Sequence, residues 1–135
     1  MIKVWVNGVF DVLHRGHIEL LKFAKLQGDY LCVGIDSDKR VKELKGNDRP
    51  INNQEDRKVF LESFRFVDEV IIFNSSQELS NKIKEYNPDI FVIGSDYKDK
   101  NIVGREHLKK IIFFDRVEGY SSTSIIGKNG TNETT

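Results

Sequence analysis

The chain has 135 residues, 39% hydrophobic and 31% charged, which suits one compact domain able to bury a core without disulfides or structural metals. Its 21 Lys and Arg balance 21 Asp and Glu, so the basic excess of a nucleic-acid or anionic-membrane binder is missing, and neither partner is expected. One cysteine (Cys32), no apolar run near the roughly 18 residues of a membrane span and no signal-like start exclude a disulfide scaffold and point to the cytoplasm.

Short apolar runs then alternate with helix-like stretches. Residues 2–6 read as a first strand. Residues 16–26 carry Ile18, Leu20, Leu21, Phe23 and Ala24 at helical spacing, and Gly28-Asp29 ends that helix. Residues 30–35 are apolar nearly throughout, as in a parallel strand covered on both faces. Residues 36–50 are polar and lysine-rich, expected as a short helix followed by a loop over 46–50. Residues 53–66 read as a helix with Asn53 as N-cap and Asp56 three positions on. A strand is expected over 69–73, a helix over 76–86 closed by Asn87-Pro88, and a strand over 89–93. A short helix over 104–110, a strand over 111–114, a last helix over 122–128 and a frayed tail over 129–135 complete the chain. The alternation predicts an α/β fold: a Rossmann-like, doubly wound, five-stranded parallel sheet in a single domain over 1–128. Ligands of such sheets bind beyond the carboxyl ends of the strands, where strand order reverses.

Chemistry is therefore sought just after strands. The first strand leads through Asn7-Gly8-Val9-Phe10-Asp11 to His14-Arg15-Gly16-His17 at the mouth of the first helix. Gly8 lets the backbone approach a ligand, and the helix start offers free N–H groups and a positive dipole end to a phosphate. Both imidazoles can donate to phosphate oxygens; surface residues, a capping device and a metal pair are the competing readings. A second anion site is expected at Arg116 and the hydroxyls of Ser121, Ser122 and Thr123, which an ordinary helix cap would also explain. Lys42, Lys45 and Arg49 form a basic loop that is either solvated or able to swing over a triphosphate. Gly94-Ser95-Asp96-Tyr97 follows the fourth strand, where the plain reading is a turn. The fingerprints of dinucleotide folds and P-loops are absent, and Cys32 sits mid-strand, a poor place for a nucleophile.

The run Gly8 to His17 resembles the opening signature of the cytidylyltransferases, nucleotidyltransferases with a His-x-Gly-His motif. Arg57 in Glu-Asp-Arg-Lys, Arg65 before Phe-Val-Asp-Glu-Val, Asp96 and the block from Arg116 follow in the family's order. The resemblance implies attack by an acceptor phosphate oxygen on the α-phosphorus of a nucleoside triphosphate, with release of pyrophosphate. His14, His17, Lys45 and Arg116 would carry the chemistry. Gly8, Val9, Phe10, Asp11, Gly16, Arg65, Asp96, Glu118, Ser121, Ser122 and Thr123 would bind nucleotide, and Lys42 or Lys45 the acceptor. Arg57 would brace the site. Mg²⁺ would accompany the nucleotide with no protein ligand assured, Asp11 either helping to hold it or orienting the histidine loop. Arg65 and Arg116 favour CTP, so the expected reaction is CMP transfer to glycerol 3-phosphate. The alternative is adenylyl transfer from ATP to a sugar phosphate such as heptose 1-phosphate, which the stretches Leu44 to Pro50 and Gly94 to Tyr97 resemble. A homodimer is expected, with the aromatic segment 60–66 contributing.

Overall fold

The computed structural model describes residues 1–115. Its five strands are β1 (Lys3–Gly8), β2 (Tyr30–Asp36), β3 (Glu69–Phe73), β4 (Ile90–Gly94) and β5 (Ile111–Phe114). They form one sheet in the order β3-β2-β1-β4-β5, and every pairing is parallel. The helices are α1 (Arg15–Leu26), α2 (Asp38–Lys45), α3 (Gln54–Glu62) and α4 (Ser76–Tyr86), with 3-10 turns at Ser95–Tyr97 and Arg105–His107. The expected Rossmann-like sheet is thus present.

Alternation along the strands explains why both faces are covered. Val4 and Val6 of β1 and Leu31, Val33 and Ile35 of β2 point to a core closed by Leu20, Leu21 and Ala24 of α1 and Leu61 of α3. Trp5, Cys32 and Phe91 point the other way, toward Leu79 and Ile83 of α4. The Cys32 thiol is pushed upward in pKa by that burial, which suits a core residue and not a nucleophile. Trp5 needs a gap in the neighbouring strand, and Gly34 provides it. A Cβ on Gly34 would lie 2.5 Å from the Trp5 ring. Gly34→Ala is therefore expected to lower stability by about 1–3 kcal/mol through overpacking. Urea unfolding checks this; an unchanged midpoint would show that the indole can shift at no cost.

Several expected boundaries move for local reasons. β1 runs on to Gly8, because all six of its residues pair with β2. The expected helix over 53–66 ends at Glu62; Asn53 is its N-cap, as expected, accepting from Asp56 N–H at 2.8 Å. The expected helix over 104–110 is only a 3-10 turn, preceded by Gly104 at φ +81°. Lys42 and Lys45 do not sit in a loop: Ser37 caps α2, which carries both lysines in its last turn. The aromatic segment is only partly exposed. Phe60 remains on the surface, whereas Phe64 and Phe66 stack on each other at 5.2 Å and pack against the core. The expected helix 122–128 and tail 129–135 lie outside the described residues. No helix among the described residues is long and apolar enough to cross a membrane.

The order of strands fixes where a ligand can enter. Chain direction reverses its march across the sheet between β1 and β4. These two strands pair only at Val4–Ile90 and Trp5–Phe91. In sheets of this topology ligands bind beyond the carboxyl ends of such a pair, next to the segments that follow both strands.

Candidate active site

The segment leaving β1 begins with a strained residue. Phe10 has φ +50°, a left-handed conformation that a bulky side chain rarely adopts. Its ring is fully buried, lies 5.4 Å from the His17 ring and belongs to the core beneath α1. Such strain costs about 1–3 kcal/mol and persists only where packing over-determines it. The result is a sharp bend that carries the chain from β1 into α1.

The two histidines form the cap of α1. His14 is the N-cap, and its Nδ1 accepts from Gly16 N–H at 3.0 Å. His17 returns the favour, its Nδ1 accepting from His14 N–H at 3.1 Å. This is a capping box built from imidazoles where Ser and Glu usually stand. The rings lie 3.9 Å apart, His17 fully buried and His14 nearly so. Because each Nδ1 accepts, the hydrogen-bond pattern assigns the proton of each neutral ring to Nε2. Both histidines are therefore preset as Nε2–H donors. The expected free N–H groups are partly consumed: Gly16 N–H serves His14, and His17 N–H bonds the His14 carbonyl at 3.1 Å. An anion at this helix start would meet the imidazole donors and the positive end of the helix dipole. α1 also lacks an acid in its first turn, whereas α2 has Asp38, α3 has Glu55 and Asp56, and α4 has Glu78.

Asp11 ties this segment to the rest of the site. Its Oδ2 accepts from Ile51 N–H at 2.7 Å and its Oδ1 from Asn52 N–H at 2.8 Å. The Asn52 amide donates back to the Asp11 carbonyl at 2.9 Å. These three bonds join the segment that leads to His14 to residues 51 and 52. Among the described residues no group of three His, Cys, Asp or Glu side chains could hold a metal ion.

Arg57 completes the frame. It is fully buried, and its guanidinium donates to four groups: Asn52 O at 3.0 Å, Val9 O at 2.9 Å, Asp36 O at 2.8 Å and Asp38 Oδ1 at 2.8 Å. One side chain thus joins the end of β2, the start of α2, the segment after β1 and the approach to α3. Asp36 itself pairs with Arg40 Nε at 2.8 Å; burial raises its carboxyl pKa, and Arg40 opposes the shift.

The structure brings Gly8, Val9, Phe10, Asp11, His14, Gly16 and His17 together at the carboxyl edge of the sheet. Lys45 ends α2, half-buried, while the Lys42 ammonium is engaged by Arg49 O at 3.0 Å. Asp96 lies exposed in the 3-10 turn after β4, at the carboxyl end of the strand beside β1. Arg65 does not join them. It is exposed in the turn between α3 and β3, beside Asp68, whose N–H bonds Leu31 O near the start of β2. That is the amino edge of the sheet, opposite the histidines. Arg116, Glu118, Ser121, Ser122 and Thr123 lie outside the described residues. The sequence does not single out Asn52, and it marks Arg57 only as a brace. A lone Asn before a helix carries no periodic signal, and the partners of Arg57 are mostly main-chain carbonyls.

Comparison with known proteins accords with this geometry. The family described as Cytidylyltransferase-like matches residues 5–128. A "Bifunctional protein HldE" of Campylobacter fetus subsp. fetus (strain 82-40) is 50% identical over 93% of this chain and 27% of that protein. One from a Nitratiruptor species is 49% identical over 91% of this chain and 26% of that protein. The chain therefore spans about a quarter of the length of these curated relatives. A solved structure described as a lipopolysaccharide core biosynthesis protein from Thermoplasma volcanium GSS1 superposes with TM-score 0.70 at 28% identity. That match covers 87% of this chain and 99% of the other.

These findings correct the expected reaction. CMP transfer from CTP to glycerol 3-phosphate is overturned by relatives at 49–50% identity that are HldE proteins. The physical ground for CTP weakens with it, since Arg65, one of its two supports, stands at the far edge of the sheet from His14 and His17.

Proposed function

This chain belongs to the Cytidylyltransferase-like family, and on that premise we propose that it transfers AMP from ATP to a sugar phosphate of the heptose 1-phosphate kind, releasing pyrophosphate. The observation that carries the chemistry is the imidazole capping box after β1, in which both Nδ1 atoms accept and the ring protons are left to Nε2. The choice of ATP and sugar phosphate is supported by the HldE relatives and by the neighbour's description as a lipopolysaccharide core biosynthesis protein.

In this reading a phosphate oxygen of the sugar phosphate attacks the α-phosphorus in line. A new P–O bond forms, the bond to the β-phosphate breaks, and its electron pair leaves with pyrophosphate. The nucleophile is already an anion, so no general base is needed, and the protein's work is positioning and charge stabilisation. His14 and His17 donate from Nε2 to the triphosphate as charge develops. Lys45 reaches the acceptor phosphate, with Lys42, whose ammonium donates to Arg49 O, as its rival. Val9 and Phe10 present backbone to the nucleotide, and Asp96 faces ribose and base. Arg116, helped by Ser122 and Thr123, takes the β- and γ-phosphates, and Glu118 and Ser121 contact the nucleotide elsewhere. The donor set for a resident divalent ion is not formed by Asp11, whose two oxygens serve backbone amides. Mg²⁺ would come with the triphosphate and balance its charge. A homodimer would use α3, where Val59 and Phe60 are exposed.

Pyrophosphate release with ATP and with CTP, across a panel of phosphorylated acceptors, tests the proposal. Turnover is expected with ATP and a heptose-like 1-phosphate. Failure with every sugar 1-phosphate, alongside turnover of another acceptor class, would sink it.

A further inference from the structure

Asp11 and Asn52 clasp two segments that are far apart in sequence. One leads from β1 to His14; the other leads from Lys45 at the end of α2, through Arg49, to Asn52. Two of the clasp's three hydrogen bonds use backbone N–H groups of the second segment, at Ile51 and Asn52. The third runs the other way, from the Asn52 side chain to the Asp11 carbonyl. The second segment is also held from α2, where Lys42 Nζ donates to Arg49 O. Arg57 Nε donates to the Asn52 carbonyl and fixes the same residue from α3. The segment below Lys45 is therefore pinned at several points, and Asn52 is where it meets the histidine loop.

We propose that Asn52 is a positioning residue for the transfer: it sets where Lys45 stands relative to His14 and His17 by clasping the two segments together. The inference rests on the role of Lys45 proposed above. In-line attack needs the acceptor phosphate and the α-phosphorus in register, and a misplacement of about 1 Å can cost a hundredfold. The nucleotide is held on the β1 side of the clasp and the acceptor on the α2 side. Loosening the clasp should spare nucleotide binding and damage the meeting of the two substrates.

The test compares Asn52→Ala, Asn52→Asp, Lys45→Ala and the Asn52→Ala/Lys45→Ala pair, with steady-state kinetics on ATP and a sugar 1-phosphate and calorimetry of ATP binding. Asn52→Ala is expected to raise the acceptor KM and lower kcat by about tenfold each, while ATP Kd stays within about twofold. Asn52→Asp should fare no better, because it keeps the volume but turns an acceptor toward the Asp11 carbonyl. On the Lys45→Ala background the added loss should be under about twofold, since the two residues act as one unit. Wild-type kinetics for Asn52→Asp, fully multiplicative losses in the pair, or a loss confined to ATP affinity would each overturn the proposal. If the wild-type protein binds ATP but turns over no sugar phosphate, it is the functional reading that fails. The clasp is then judged by amide exchange at Ile51 and Asn52: about tenfold faster exchange in Asn52→Ala supports it, and unchanged exchange overturns it.

Discussion

His14→Asn is expected to fold like the wild type and to lose about a hundredfold or more in kcat. Asparagine is among the strongest N-cap residues, and its amide oxygen can take Gly16 N–H as the imidazole Nδ1 does. The Nε2–H has no counterpart in asparagine. Removing one donor aimed at developing charge costs about 2.7–4 kcal/mol, which is the loss expected here. His17→Ala should lose at least as much turnover and should also unfold more easily. It gives up the bond from His14 N–H and the contact with the Phe10 ring, and losing a cap alone costs about 0.5–2 kcal/mol. Pyrophosphate release and thermal melting, run on the same samples, separate the two effects. Turnover surviving in His14→Asn would remove that histidine from the mechanism.

Arg57→Met is expected to be the most destabilising single change at the site, by about 3–5 kcal/mol. The side chain is fully buried, and its loss leaves the carbonyls of Val9, Asp36 and Asn52 and the Asp38 carboxylate without their shared donor. Domains of this size are stable by only about 5–15 kcal/mol, so a large share of the folded population is at stake. Arg57→Lys should recover little, because one ammonium cannot reproduce a planar fork that serves four acceptors. Urea unfolding reads the change directly. A shift below about 0.5 kcal/mol, the size of an ordinary surface substitution, would mean that water or a neighbouring side chain takes over these acceptors.

The sheet was legible in the sequence because parallel strands buried on both faces are written as short apolar runs, as in Val4-Trp5-Val6 and Leu31-Cys32-Val33. The position of the histidines was legible too, since it follows from one strand, one turn and one helix. What escaped is everything set by contacts across distant segments. Asp11 could be read as a metal ligand because nothing near it in sequence reveals that its partners are the amides of Ile51 and Asn52. Lys42 and Lys45 looked like loop residues because the helix that carries them is short and depends on its Ser37 cap. Arg65 was grouped with nucleotide binders by its motif, although a residue between a helix and the next parallel strand must lie at the amino edge of the sheet. The nucleotide followed the same course: CTP rested on motif arginines, and it gave way to relatives matched along the whole domain.

Phe10 bears on how this site meets its substrates. A left-handed phenylalanine with its ring locked in the core cannot relax the bend after β1 unless the ring is pulled out of the hydrophobic interior. The bend therefore has one accessible shape, and the histidines inherit it. On the proposed reading their alignment would be set when the chain folds, not when a nucleotide arrives, leaving little reorganisation to oppose the chemical step. The same rigidity limits tolerance. A glycine at position 10 would ease the backbone and free the loop to wander, giving up the fixed geometry that the strain secures.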